Sequence, residues 1–73
     1  MYKNGKGVER DYQKAFEWFL KAAELGDDTA QFDVGLCYEK GYGVAVDLDE
    51  AFRWYEKAAE QGHKGAQKKL EQR

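Results

Sequence analysis

The chain repeats itself with a period of 36 residues. Shifting it by that distance aligns residues 1–37 with residues 37–73 without a gap, and 15 of the 37 pairs are identical. Most of the matched residues are Gly, Ala or aromatic residues, which set turns and packing. A period of this length is typical of helix–turn–helix solenoids, in which each unit buries its apolar face on a neighbour. The repeat therefore predicts an all-α solenoid of about two repeats.

The composition favours helices and disfavours several kinds of partner. The sequence has no Pro, Ser or Ile, and its few β-branched residues are too sparse for a sheet. A net charge of -2 argues against nucleic acid and against an anionic membrane surface. No apolar run approaches the roughly 20 residues that span a bilayer, and the amino terminus shows no signal segment. We therefore expect a cytoplasmic protein with no nucleic-acid or membrane partner.

Each period is interpreted as two helices, and the second of them begins at an aspartate. Asp47 is predicted to cap its helix, with Glu50 at the third position in a capping-box arrangement. Asp11 is predicted to cap the equivalent helix one period earlier. These helices are predicted to run to about Leu25 and Gln61.

Glycines mark the predicted turns. Gly26 and Gly62 lie where a left-handed residue would end each of these helices. The pattern Gly-x-Gly-Val occurs at 5–8 and 41–44. It predicts two positive-φ loops, in which the valine packs onto the helices.

The first helix of a period is predicted from Thr29 to about Lys40. Its apolar residues cover so much of the circumference that burial between two neighbours is expected. Gly35 in the middle of this helix disfavours helix formation, which indicates a close helix crossing. Cys37 is the only cysteine, so an internal disulfide is excluded, and it is predicted to be a buried packing residue.

The helix that is predicted to begin at Asp11 has two apolar stripes along its surface. The first stripe comprises Tyr12, Ala15, Phe16, Phe19 and Ala23, and the second comprises Trp18, Ala22 and Leu25. Two stripes predict neighbours on both sides of a helix. Met1 and Tyr2 are interpreted as the last turn of a missing upstream helix. We therefore predict that an open face around Phe16, Trp18 and Leu25 self-associates into a homodimer or higher oligomer.

Three segments together resemble a known family. They are the helix Ala30–Tyr38, the loop Gly41–Val44 and the helix Asp47–Gly62, which ends Trp-Tyr-Glu-Lys-Ala-Ala-Glu-Gln-Gly. This combination resembles the Sel-one-like repeat family, a branch of the tetratricopeptide-like solenoids. The resemblance implies an α/α right-handed superhelix that acts as a scaffold or adaptor and binds a protein or peptide.

The resemblance also implies a division of the single domain. Residues 1–26 are a partial repeat, residues 27–62 a full repeat and residues 63–73 a carboxyl-terminal capping partial repeat. In the last segment, Lys68 and Glu71 replace packing residues of the full repeat, and such polar substitutions are typical of a solenoid cap.

The sequence offers little for catalysis. It lacks serine, and Cys37 and His63 lie 26 residues apart, with His63 predicted to be exposed in a turn. The paired acids near Asp27 and Asp47 are interpreted as helix caps. Some secreted relatives carry a disulfide within each repeat, but Ala59 occupies the position of the second cysteine. We therefore predict no enzyme activity, catalytic residues, cofactor or metal.

The predicted partner site lies on the concave surface formed by the first helix type. Its residues are those that do not recur with the period: Asp33, Leu36, Glu39, Lys40 and Tyr42. Two alternatives stay open at this point. One is a self-assembling structural repeat with no foreign partner. The other is a secreted hydrolase or cell-wall-binding relative, which the missing serine, cysteine pair and signal segment disfavour.

Overall fold

The chain forms four α-helices in a computed structural model that describes the backbone of residues 5–72 and the side chains of residues 12–72. The helices are α1 (Gly5–Glu24), α2 (Asp28–Lys40), α3 (Leu48–Glu60) and α4 (Lys64–Glu71). No strand occurs within residues 5–72. The predicted all-α repeat fold is therefore confirmed.

Each helix packs against the next one along the chain, and two apolar cores result. The first core consists of Phe16, Ala23, Ala30, Val34 and Cys37, from α1 and α2. The second core consists of Ala51, Tyr55, Ala58 and Ala66, from α3 and α4. The α2 side chains Phe32 and Leu36 pack on this second core. Helix α2 therefore lies between two neighbours, as its wide apolar circumference predicts.

Local signals set most of the helix ends. The Asp47 carboxylate accepts a hydrogen bond of 3.2 Å from the Glu50 backbone N–H, and Asp27 caps α2 in the same way. Gly26 and Gly62 follow α1 and α3 with φ of 101° and 93°. These capping and turn predictions are confirmed because they depend on neighbours within one helical turn.

The start of α1 corrects the prediction. Residues 5–8 were expected to form a loop and Asp11 to be a helix cap, yet α1 runs without interruption from Gly5. The composition of the segment explains this, because Lys6 and Arg10 favour helix where the second repeat has Tyr42 and Val46.

The equivalent loop in the second repeat has tertiary support. Gly41 and Gly43 both have φ of 78°, as predicted. The Tyr42 ring stacks on Tyr12 of α1 with centroids 4.7 Å apart, and a Cβ at Gly43 would lie 2.6 Å from the Tyr12 carbonyl oxygen. Val44 packs against the first core, as expected. Helix α1 thus holds this loop in its positive-φ form.

The remaining expectations for the amino-terminal segment lie outside the described residues. They concern the interpretation of Met1 and Tyr2 as a helical turn, and the packing of the Val8 side chain.

Candidate functional site

One stripe of α2 is only partly covered by the neighbouring helices, although its Leu36 packs on the second core. Thr29 and Lys40 are exposed and Asp33 and Leu36 are half-buried. Their spacings of four, three and four residues place them on one side of a helix. We call these four residues the α2 ridge. Three of the five predicted partner-binding residues lie on it, and Thr29 was missed although its helical spacing to Asp33 could have indicated it.

The α2 ridge carries two opposite charges, one on either side of Leu36. Asp33 and Lys40 are seven residues apart, about 10 Å along the helix axis. Partial burial raises the pKa of the Asp33 carboxyl, an effect that the charge on His63 opposes and that of Asp27 reinforces. Leu36 lies between the two charged residues. The ridge can therefore offer an acidic, an apolar and a basic contact in succession.

Glu39 lies beside the ridge and is engaged within the chain. The Tyr55 hydroxyl donates a hydrogen bond of 2.6 Å to the Glu39 carboxylate, and the Lys69 ammonium lies 3.1 Å from the same oxygen. The hydrogen bond from Tyr55 is the main cause that lowers the pKa of Glu39, and Lys69 lowers it further. Glu39 thus joins α2 to α3 and α4, a role that the sequence did not indicate.

Tyr42 is also placed away from the ridge. It follows α2, is half-buried and stacks on Tyr12 with an angle of 14° between the rings. The structure therefore brings Asp33, Leu36 and Lys40 together and does not bring Glu39 and Tyr42 onto the same stripe.

The residues predicted for self-association are divided between the core and the surface. Phe16 is only 9% exposed and its ring meets Tyr38 edge-on, so its predicted place on an open face is wrong. The reason is that Phe16 points toward α2, where the first core forms. Trp18 and Leu25 are 69% and 89% exposed. Lys21 lies with its ammonium 5.5 Å from the centroid of the Trp18 ring. We call Trp18, Lys21 and Leu25 the amino-terminal face.

A shallow groove lies at the opposite end of the helix array. It is lined by Glu56, Ala59, Glu60 and Leu70, and we call it the α3–α4 groove. The exposed Lys68 and Glu71 belong to the polar carboxyl-terminal segment, but they leave this groove open to solvent. The groove was not predicted from the sequence, because two of its four residues are glutamates.

The two residues weighed for chemistry have packing roles. Cys37 is 4% exposed, as predicted, and burial raises the pKa of its thiol. His63 corrects the prediction of an exposed turn residue, because it is half-buried and stacks on Phe32 at 4.7 Å. Its Nδ1 also accepts a hydrogen bond from the Ala66 N–H and so caps α4. Within residues 12–72, no group of three His, Cys, Asp or Glu side chains is placed to hold a metal ion.

The helices lack the features of membrane spans. None of those within the described part of the chain combines the length and the apolar character needed to cross a bilayer.

The fold and its uncovered surfaces define a helical repeat protein whose repeats present surfaces for contact. The family model for the Sel1 repeat matches residues 1–27 and 28–63, and the chain belongs to the Sel1 repeat family.

A solved relative supports the same conclusion. The chain is similar to a Sel1 repeat protein from Oxalobacter formigenes, known from a crystal structure, with 52% sequence identity and a TM-score of 0.78. The similarity covers 80% of this chain and 24% of that protein, so the chain spans about a quarter of its relative. Among curated proteins, none matches the chain.

Proposed function

We propose that this chain is a non-catalytic protein–protein interaction module that binds a polypeptide along the α2 ridge. The observation that carries the proposal is the environment of α2. This helix packs against both cores, yet one stripe keeps an acidic and an apolar residue half-exposed and a basic residue exposed. Membership of the Sel1 repeat family supports the proposal, because helical repeats of this kind form extended binding surfaces.

The ridge predicts the chemistry of its ligand. A complementary peptide carries a basic residue to meet Asp33, an apolar residue to pack on Leu36 and an acidic residue to meet Lys40. Exposed charge pairs contribute mainly to specificity, whereas the apolar contact contributes to affinity. The cytoplasm remains the predicted compartment for this binding.

A charge exchange tests the proposal. Labelled peptides with the basic–apolar–acidic pattern, and peptides with the reversed pattern, would be titrated against the chain by fluorescence anisotropy. The parent is expected to prefer the first pattern. The double variant Asp33→Lys/Lys40→Asp is expected to prefer the reversed pattern.

The chain offers a matched control for this exchange. Asp49 and Arg53 are both exposed, oppositely charged and one turn apart on α3. The variant Asp49→Arg/Arg53→Asp changes charge at a surface outside the ridge and should keep the parental preference. Equal binding of both patterns by the parent, or an unchanged preference in the ridge variant, would contradict the proposal.

A further inference from the structure

Two tryptophans that are equivalent in the repeat have different surroundings. Trp18 and Trp54 are 36 residues apart, and each has a lysine ammonium over its ring, at 5.5 Å for Lys21 and 5.4 Å for Lys57. Trp54 is partly buried and packs against the first core. Trp18 is 69% exposed. The tryptophan position is therefore a contact position between successive repeats, and it is covered in only one of these two cases.

The first core, against which Trp54 packs, has equivalent residues one repeat later in the chain. This core includes the buried Ala23 and Val34, and Leu20 packs against the same core. A shift of 36 residues aligns Leu20, Ala23 and Val34 with Glu56, Ala59 and Leu70, respectively. These three residues line the α3–α4 groove. The groove therefore contains the repeat equivalents of three residues in or beside the core against which Trp54 packs.

The charges of the two ends are complementary. The groove contains Glu56 and Glu60, whereas Lys21 accompanies Trp18 on the amino-terminal face. A tryptophan that enters the groove would bring its lysine toward these carboxylates. Such an arrangement favours association and disfavours a pairing of two identical lysine-bearing faces.

We propose that a second copy of this chain docks its amino-terminal face into the α3–α4 groove, with Trp18 packed over Ala59 and Leu70. The contact is head-to-tail, so each dimer keeps one unused face and one unused groove, and longer stacks form as the protein concentration rises. The inference does not depend on ligand binding at the α2 ridge.

The contact between copies lacks two hydrogen bonds that the contact within the chain has. The Gln61 side-chain amide donates hydrogen bonds of 3.0 Å to the Gly26 carbonyl and to the Gln31 side-chain oxygen. The repeat equivalent of Gln61 is Leu25, which has no donor in its side chain. The contact between copies is therefore weaker than the contact within the chain, and its association is reversible.

Sedimentation equilibrium from micromolar to millimolar protein is the first test. The parent chain is expected to show a mass that rises with concentration. Trp18→Ala is expected to lower the association constant about tenfold or more, as large aromatic anchors at interfaces do. Leu48→Ala is the matched control, because Leu48 is also a large exposed apolar residue but lies about 12 Å along α3 from the groove residue Glu56. A parent that stays monomeric throughout would overturn the proposal.

Mixing two variants tests the head-to-tail geometry. Trp18→Ala keeps an intact groove, and Leu70→Glu keeps an intact amino-terminal face. Each variant alone should be monomeric, while their equimolar mixture should form a 1:1 dimer that grows no further. If Leu70→Glu associates as strongly as the parent, or if the mixture stays monomeric, the groove is not the acceptor.

A second groove variant guards against misfolding. Leu70 is half-buried, so circular dichroism of Leu70→Glu is compared with that of the parent. If its helical signal is lost, Glu60→Lys replaces it, since Glu60 is exposed and its charge reversal repels Lys21 of the incoming copy. If a folded Glu60→Lys variant associates as strongly as the parent chain, this result would also contradict the proposal.

Discussion

Gly35 of α2 lies against the ring of Tyr55 of α3, and this contact sets the distance between the two helices. A Cβ at Gly35 would lie 2.5 Å from Cε1 of Tyr55 and 3.0 Å from the Ala51 carbonyl oxygen. Tyr55 is fully buried and its hydroxyl is bonded to Glu39, so the ring has no free space to enter.

Gly35→Ala is expected to destabilise the fold. Alanine favours a helix by about 1 kcal/mol over glycine, but overpacking at a closed contact outweighs this gain. We expect a net loss of about 2 kcal/mol in the free energy of unfolding, measured by urea denaturation. In a Tyr55→Leu background the same substitution should lose most of its effect. A Gly35→Ala variant as stable as the parent would show that the helices can separate freely.

Tyr55→Phe isolates the hydrogen bond to Glu39. The substitution keeps the ring in the second core and removes the hydroxyl that lies 2.6 Å from the carboxylate. A hydrogen bond to a charged group contributes about 1.5–3 kcal/mol, and Lys69 continues to pair with Glu39, so we expect a loss of about 1.5 kcal/mol.

Thermal and urea unfolding of Tyr55→Phe would be compared with those of Tyr38→Phe. The Tyr38 ring also packs against both cores, whereas the hydroxyl bonded to Glu39 is that of Tyr55. Equal losses in the two variants would show that the bond to Glu39 adds nothing.

The Glu39 carboxylate makes the stability of the fold depend on pH. The pKa of Glu39 is below its ordinary value of 4.5, first because Tyr55 donates a hydrogen bond to it and then because Lys69 lies beside it. A lowered pKa in the folded state stabilises the fold at pH values above the unfolded pKa. This contribution is lost as the pH falls below 4.5 and through the folded pKa. Glu39→Gln should therefore flatten that part of the acid unfolding profile.

The pKa of Glu39 can be measured directly from its carboxyl carbon by NMR. Tyr55→Phe should move it up toward the ordinary value, because the largest cause of the lowering is removed. A pKa that does not respond to this substitution would refute the assigned cause.

Asp47→Ala tests the cap of α3. The Asp47 carboxylate accepts the Glu50 N–H, and loss of such a cap costs about 1 kcal/mol. Asp49→Ala is the control, since Asp49 lies in the first turn and favours the helix only through its dipole. Asp49→Ala should lower the free energy of unfolding by less than about 0.5 kcal/mol, measured by urea denaturation. A larger effect at Asp49 than at Asp47 would contradict the capping assignment.

Much of the candidate site could be predicted from residues that do not recur. Asp33, Leu36 and Lys40 were identified because they depart from the period, and their helical spacing places them on one stripe. Glu39 departs from the period too, but the Tyr55 hydroxyl that donates a hydrogen bond to it lies 16 residues away in another helix. A sequence pattern carries no information about a contact of that kind.

The sequence by itself determined the repeat, the caps of α2 and α3 and the turns that follow α1 and α3, because those features depend on neighbours within a few residues. Asp47, Gly26 and Gly62 are examples in which local geometry decides the outcome. Only the tertiary structure decided which of two equivalent residues is covered. Trp18 and Trp54 share one local sequence pattern, yet only Trp54 lies where the first core can cover it. Burial is a property of what packs against a residue, and that depends on the helices placed on either side of it.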